Sequence, residues 1–362
     1  MLIILLSILG LLFLTTLLNV LLWPKLQGRI SEIKGTVSVL IPARNEAQNI
    51  IACLESIVSQ KNIIEVLVYN DHSTDETGAL VESFRKTHSQ VRLIEPVDLP
   101  AGWTGKNFAC YQLASHAKGE WLFFADADAR FSEGAVSGML SEAVNRKASF
   151  VSCWPGLEMR SFWEKLLMPL LNFFVFSTYP APISFKHDMP SLGIAHGACI
   201  MMNRDVYNNI GGHSRVRNQI FEDTQLARLW REEKERSLCF DGQNIVRVRM
   251  YESLGEIWLG FQKNFYPGFK SQLSFWIYII MHLSLFLLPF LFFYLSNYVL
   301  IMMFIVCLMR ISLALRFKHT LWSAFLHPIS ETILLALAIS SWWRCISGKG
   351  VLWKGRSYLA GS

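Results

Sequence analysis

From residue 271 to residue 309 the chain runs for 39 residues without a formally charged side chain. At about 1.5 Å per residue, one helix of that length is about twice as long as a bilayer core is thick. The segment must therefore fold back on itself, and Ser296 and Asn297 supply the natural turn. Residues 1–24 are equally free of charge. The first basic residues after them are Lys25, Arg29 and Lys34, so the basic flank lies on the C-terminal side, which predicts an anchor with its N-terminus outside and the following residues in the cytoplasm. A cleaved signal peptide is the alternative, but no basic region precedes the apolar run and no small-residue cleavage pattern follows it.

A third apolar stretch, residues 321–343, contains His327, Pro328 and Glu331, and either spans or only dips into the membrane. Arg344, Lys349, Lys354 and Arg356 favour a cytoplasmic tail over 344–362, which requires an even number of C-terminal crossings. Two crossings plus a re-entrant or interfacial segment are therefore preferred to three within 271–343. Only 17% of the residues are charged, against about 25% in soluble domains. The net charge of +6 comes without an arginine-rich run, so anionic lipid rather than nucleic acid is the expected electrostatic partner. Seven cysteines without a C-x-x-C pair give no zinc or disulfide framework and suit a reducing compartment.

Residues 29–265 are the part able to fold as a water-soluble domain, of the size of one α/β unit. Residues 37–41 and 64–69 read as short buried strands, with helical spacing over 47–58 between them, and 121–125 is a further buried strand. The charge-free stretch 166–185 is broken by Pro169, Pro180 and Pro182 and preceded by Trp163, Glu164 and Lys165. Crossing the membrane there would put the acidic motifs on either side of it in different compartments, so 162–185 is expected to lie on the cytoplasmic leaflet.

Three polar clusters follow the three strands. Pro42, Arg44 and Glu46 lie in I-P-A-R-N-E, Asp71 lies in N-D-H-S-T-D, and Asp126 and Asp128 lie in F-A-D-A-D-A. The carboxyl ends of strands are where open α/β sheets bind ligands. In an extended segment, alternation turns both D-x-D carboxylates towards one face. Two carboxylates so close favour a hard cation, Mg²⁺ or Mn²⁺, carrying a diphosphate; alone, such a pair is more often a solvated turn. Asp71 suits a base or ribose, or else caps the helix expected near Glu76. A glycine-flanked loop over 100–107 offers Lys106 to a phosphate and Trp103 to a ring. After Gly211-Gly212-His213 come Glu222 and Asp223, placed to take a proton from an attacking hydroxyl or, more plainly, to cap a helix.

Together these motifs resemble the family 2 glycosyltransferases, most closely the membrane-anchored enzymes associated with carotenoid and hopanoid glycosylation. Those also share the C-terminal W-K-G-R-x-Y, here residues 353–358. The resemblance implies an α/β fold of GT-A type, a Rossmann-like nucleotide-diphospho-sugar transferase domain, joined to transmembrane helices. It further implies that Asp71 contacts the nucleotide, Asp126 the ribose and metal region, and Asp128 the metal. Pro42, Arg44, Glu46 and Lys106 would line the donor pocket, and Asp223, with Glu222 beside it, would be the base. Trp103, His213, Arg249 and Lys263 would serve the diphosphate or acceptor side. The implied reaction is inverting transfer from a nucleotide-sugar to a membrane lipid, at the inner (plasma) membrane with the catalytic domain cytoplasmic. Processive members carry Q-x-x-R-W, which residues 260–265 lack, so a single sugar addition is expected. A polyprenyl-phosphate sugar transferase and a catalytically silent membrane scaffold are the competing readings.

Overall fold

The computed structural model describes residues 1–28, 33–269, 271–348, 351–353 and 356–358. Arg29, Lys349, Lys354 and the side chain of Arg356 lie outside that description. The chain divides into two compact units: Met1–Trp23, Met159–Pro182 and Tyr251–Ser362 form one, and Pro24–Glu158 with Ile183–Met250 the other.

The second unit is α/β. Its strands are β1 (Val37–Ala43), β2 (Ile63–Asn70), β3 (Val91–Ile94), β4 (Trp121–Ala125), β5 (Ala129–Phe131), β6 (Phe150–Trp154), β7 (Gly156–Leu157), β8 (Cys199–Asn203), β9 (Ser237–Asp241) and β10 (Val246–Val248). Seven of them form one sheet in the order β3-β2-β1-β4-β8-β6-β9, and β5-β10-β7 form a small second sheet. β3, β2, β1 and β4 run parallel, while β8 is antiparallel to both β4 and β6. Parallel strands need crossover helices, and Ile50–Val58 and Thr77–Arg85 supply two of them. Covered on both faces, β1 reads as a continuous apolar run, with Val37, Val39, Leu40 and Ile41 fully buried. Leu40, Leu67, Leu122, Phe124, Phe150, Ile200 and Trp230 share one core. Register pairs Ala43 of β1 with Asn70 of β2 and sets β1 beside β4. The three polar clusters that follow these strands therefore emerge on one rim.

The first unit is helical. Leu2–Leu22, Gln272–Leu291, Asn297–Phe317 and His327–Ile346, of 20 or 21 residues each, are long and apolar enough to cross a membrane. Ser296 caps the third of them, its Oγ accepting from the Tyr298 N–H at 3.2 Å, so the chain turns where expected. Within Gln272–Leu291, Leu283–Leu287 is a π-helical turn. It precedes Pro289, whose missing N–H interrupts the ordinary ladder. The third segment, expected either to span or to dip into the membrane, is one continuous helix, His327–Ile346. Pro328 stands in its first turn, where an absent N–H costs nothing. Glu331 is fully buried and accepts from His282 Nδ1 at 2.7 Å. By contrast, 162–185 is split into helices of at most ten residues, half of what a crossing needs. The break after Thr178 is held by Asn19, whose Nδ2 donates to the Phe176 carbonyl at 2.8 Å and whose Oδ1 accepts from the Ala181 N–H at 3.0 Å.

Removing one partner of a buried hydrogen bond leaves the other unsatisfied, at a cost of about 1–3 kcal/mol. Glu331→Ala is accordingly expected to lower the unfolding temperature of the detergent-solubilised protein; an unchanged Tm would contradict that role.

Candidate active site

The D-x-D pair sits on a turn. After β4 the Ala129 N–H donates to the Asp126 carbonyl at 3.0 Å, closing a β-turn whose far end opens β5. The expectation of an extended segment with alternating faces is corrected, because the chain must reverse here to enter the small second sheet. Arg130 holds the turn, its Nη1 donating to the carbonyls of Ala127 at 3.1 Å and Ala129 at 2.9 Å and its Nη2 reaching Asn49 Oδ1 at 3.3 Å. Both aspartates remain partly exposed.

Lys106 was expected on a loop, and it lies in the first turn of the helix Gly105–His116. Thr104 caps that helix, its Oγ1 accepting from the Asn107 N–H at 3.3 Å, and its own N–H donates to the Arg217 carbonyl at 2.8 Å. The fully buried Asn107 donates to the carbonyls of Val216 at 2.7 Å, Arg217 at 3.2 Å and Gln219 at 3.0 Å. The helix start and the segment leading to Glu222 are thereby one fixed piece. From it, Lys106 Nζ reaches Asp126 Oδ1 at 2.8 Å and Glu222 Oε1 at 3.0 Å. Its protein surroundings work against the ammonium, but these two carboxylates more than offset that and hold its pKa well above the ordinary lysine value. Trp103 packs against Phe108 and Tyr111, with ring centroids 5.5 and 5.2 Å away.

Glu222 and Asp223 open the helix Glu222–Glu232, where the macrodipole favours negative charge. Asp223 Oδ2 accepts from the Gly197 N–H at 2.9 Å and Oδ1 from the Thr224 N–H at 2.6 Å. Burial, and then the neighbouring Glu222 charge, push its carboxyl up to about 7, against the pull of Lys106 and the two backbone donors. A carboxylate that titrates near neutrality is suited to general-base work.

Gly197 is a site residue that the sequence reading missed. A Cβ there would come within 2.9 Å of Lys106 Nζ, 3.5 Å of Asp126 Oδ2 and 3.6 Å of Asp223 Oδ2. A side chain at 197 would press first on the lysine ammonium, so the glycine lets Lys106 and the two aspartates close around its N–H. Its neighbour His196 was missed as well; burial lowers its pKa to about 4, so it is neutral, with Nδ1 accepting from the Ala198 N–H at 3.2 Å. The available signal was the polar H-G break ahead of the apolar run that forms β8.

At the β1 and β2 ends, Arg44 Nη1 donates to the Asp71 carbonyl at 2.7 Å. The Glu46 N–H donates to Thr77 Oγ1 at 2.8 Å, the Ala47 N–H to Asp75 Oδ2 at 3.0 Å and the Asn45 N–H to Ser73 Oγ at 3.0 Å. Asn45 and His72 take left-handed backbone conformations, at φ 54° and 51°, the kind of strain that clusters at functional sites. The rim loops are thus stitched to each other, with Asp71 buried between them. His213 stands at the same site. It is 2% exposed, its Nδ1 lies 2.9 Å from the Tyr207 hydroxyl, and burial lowers its pKa to about 3, so it contributes a neutral wall. With Pro42, Lys106, Asp126, Gly197 and Glu222 it lines a cavity of about 10 Å³, on the order of one water. Arg249 follows β10 in the α/β unit, whereas Lys263 stands on the helix Leu254–Asn264 of the helical unit.

Among the described residues no group of three or more His, Cys, Asp or Glu side chains forms a ready metal cage. Mg²⁺ and Mn²⁺ suit hard oxygens, and a Mg²⁺ site commonly takes one or two carboxylates and completes its shell with substrate phosphates and water. Asp126 and Asp128 on one partly exposed turn fit such a site.

A parallel-centred sheet carrying carboxylates and a lysine at its C-terminal rim defines an α/β domain of GT-A type. Residues 38–211, just under half of the chain, match the family described as Glycosyl transferase family 2. The chain is 30% identical over 234 residues to 4,4'-diaponeurosporenoate glycosyltransferase of Staphylococcus aureus, strains MRSA252 and USA300 alike. The match covers 61% of this chain and 59% of the relatives' length. Among solved structures, the mannosyltransferase PcManGT from Pyrobaculum calidifontis, in complex with GDP-Man and Mn²⁺, superposes with a TM-score of 0.53. It is 18% identical and covers 94% of this chain and 98% of its own, a likeness of fold.

Proposed function

We propose that this chain is an inverting, divalent-cation-dependent glycosyltransferase that moves a single sugar from a nucleotide-diphospho-sugar to a lipid acceptor. It would act at the inner membrane, with residues 29–265 on the cytoplasmic side and 162–185 on the leaflet. The observation that carries the reading is the rim constellation, in which Lys106 and Asp126 stand beside a second acidic pair whose Asp223 titrates near neutrality. The Staphylococcus aureus relatives, named for a carotenoid acid, support a lipid acceptor, as do the four long apolar helices.

In this reading Pro42, Arg44, Glu46 and Asp71 receive the nucleotide. Asp126 and Asp128 would hold Mg²⁺ or Mn²⁺, and PcManGT, solved with Mn²⁺, supports that choice. Bound there, the cation would neutralise charge on the departing diphosphate. Asp223 takes the acceptor hydroxyl's proton as the new bond from that oxygen to the anomeric carbon forms. The bond to the diphosphate oxygen breaks on the opposite face, and its electron pair leaves with the nucleoside diphosphate. Lys106 stabilises that charge as it develops. A carboxylate acceptor brings no proton, and Asp223 then only orients it.

The test is to incubate membranes containing the protein with labelled UDP-glucose, GDP-mannose and other nucleotide-sugars plus Mg²⁺ or Mn²⁺. Label is expected in the organic-extractable fraction and is lost with EDTA. No transfer from any donor, with native lipids present and the protein folded, overturns the reading.

A further inference from the structure

Lys106 is paired with two carboxylates, one of them in the D-x-D turn. Its ammonium stands between Asp126 Oδ1 and Glu222 Oε1, at 2.8 and 3.0 Å, in the first turn of its helix. A cation is disfavoured at a helix N-terminus, so the carboxylates, and not the helix, hold it there. Asp126 is also one of the two carboxylates suited to a divalent cation. One oxygen cannot serve both at full strength, because an ammonium beside a divalent cation meets like-charge repulsion.

We infer that Lys106 is an exchanging counter-ion. In the donor-free protein it neutralises Asp126 and Glu222, and when a divalent cation arrives with a nucleoside diphosphate it gives up Asp126 and turns to the phosphates. Cation and diphosphate therefore bind as a coupled pair, and neither binds well alone. This inference rests on the proposed donor site through its use of Asp126 as a cation ligand.

Three features make the exchange physically available. The lysine side chain is 40% exposed while that of Glu222 is 11% exposed, so the mobile partner is the lysine. Its unbranched stem lets the ammonium swing without moving the helix. Gly197 leaves open the space beside Nζ that a Cβ would fill at 2.9 Å. Glu222, in the first turn of its own helix, is stabilised there by the macrodipole and can keep its charge when the lysine departs.

Coupling of this kind is reciprocal: whatever factor the diphosphate adds to cation affinity, the cation adds to diphosphate affinity, commonly about 5–150-fold. The experiment titrates Mn²⁺ into the full-length protein in detergent, following free Mn²⁺ by electron paramagnetic resonance, alone and with saturating GDP or UDP. Wild type is expected to bind Mn²⁺ weakly alone and at least about tenfold more tightly with the nucleotide. In Lys106→Met, Mn²⁺ alone should bind about tenfold more tightly than to wild type, and the further tightening by the nucleotide should be smaller than in wild type. Lys106→Arg keeps the charge and should retain weak binding of Mn²⁺ alone; Lys106→Gln repeats the methionine result should that variant fold poorly. Affinity for Mn²⁺ alone that is unchanged or weaker in the folded neutral variants overturns the exchange. Asp126→Ala separates this failure from that of the donor-site reading: nucleotide-dependent Mn²⁺ binding that survives it removes Asp126 as a ligand, and the inference with it.

Discussion

Asp223→Asn is expected to lower the turnover of a hydroxyl acceptor by about 10²–10⁴-fold, the usual contribution of a positioned general base, while the protein stays folded. The amide is nearly isosteric, and its carbonyl oxygen can still accept from the Gly197 N–H that holds Asp223 Oδ2 at 2.9 Å. What disappears is the ability to carry a proton away. The same variant should lose the acidic limb of the pH profile. The Asp223 carboxyl is raised from the ordinary carboxylate range to about 7, and only its ionised form acts as base. In the wild type, kcat/KM for the donor, which reports groups of the free enzyme, should therefore rise with pH through about 7 and level off above it. The sign for stability is the reverse. A carboxyl raised on folding contributes stability that is present below its unfolded value and lost as pH climbs through about 7. The limb should thus mark the range in which the protein gives up some stability to arm its base. Normal turnover in Asp223→Asn, with the limb intact, would remove Asp223 from the reaction. If the acceptor is a carboxylic acid, already ionised, the loss shrinks towards that of a misplaced orienting group.

The rim was legible in the sequence because it follows apolar runs. β1, β2 and β4 are short, apolar and buried on both faces, so the polar residues after them fall at strand ends whatever the finer geometry. The D-x-D turn was not legible, since two-residue alternation holds only while the chain remains extended, and the partner of β5 is β10, more than a hundred residues away. Lys106 was hidden by Gly102 and Gly105, which read as loop although Gly105 opens a helix. Gly197 was silent for a deeper reason. Its role is to lack a side chain where three others converge, and Lys106, Asp126 and Asp223 meet it only in the fold. In the helical unit, Pro328 and Glu331 shorten the purely apolar run when taken singly, yet the helix that holds them is continuous. The first is harmless in an opening turn, and the second is paired with His282, whose position 49 residues away no local pattern reveals.

The second large effect is expected at Asp128. Of the two D-x-D carboxylates, Asp126 also anchors Lys106, so its removal disturbs two things at once. Asp128 is the sharper probe, because the turn that carries it is closed by the Ala129 N–H and clasped by Arg130 through main-chain carbonyls. Asp128→Ala should therefore leave the fold and the Lys106–Asp126–Glu222 network in place. Loss of a cation that supplies several kcal/mol of charge stabilisation at the leaving diphosphate corresponds to a fall in kcat of about 10²–10³-fold or more. The residual rate should no longer respond to EDTA. A change of ligand type sharpens the test. Asp128→Cys replaces a hard oxygen with a soft thiolate, which should move the metal preference from Mg²⁺ and Mn²⁺ towards Cd²⁺ or Zn²⁺. A rescue confined to the softer ions would place residue 128 at the cation. EDTA-sensitive turnover at the wild-type rate in Asp128→Ala would instead mean that the cation is held elsewhere, and Asp126 would then act only as the partner of Lys106.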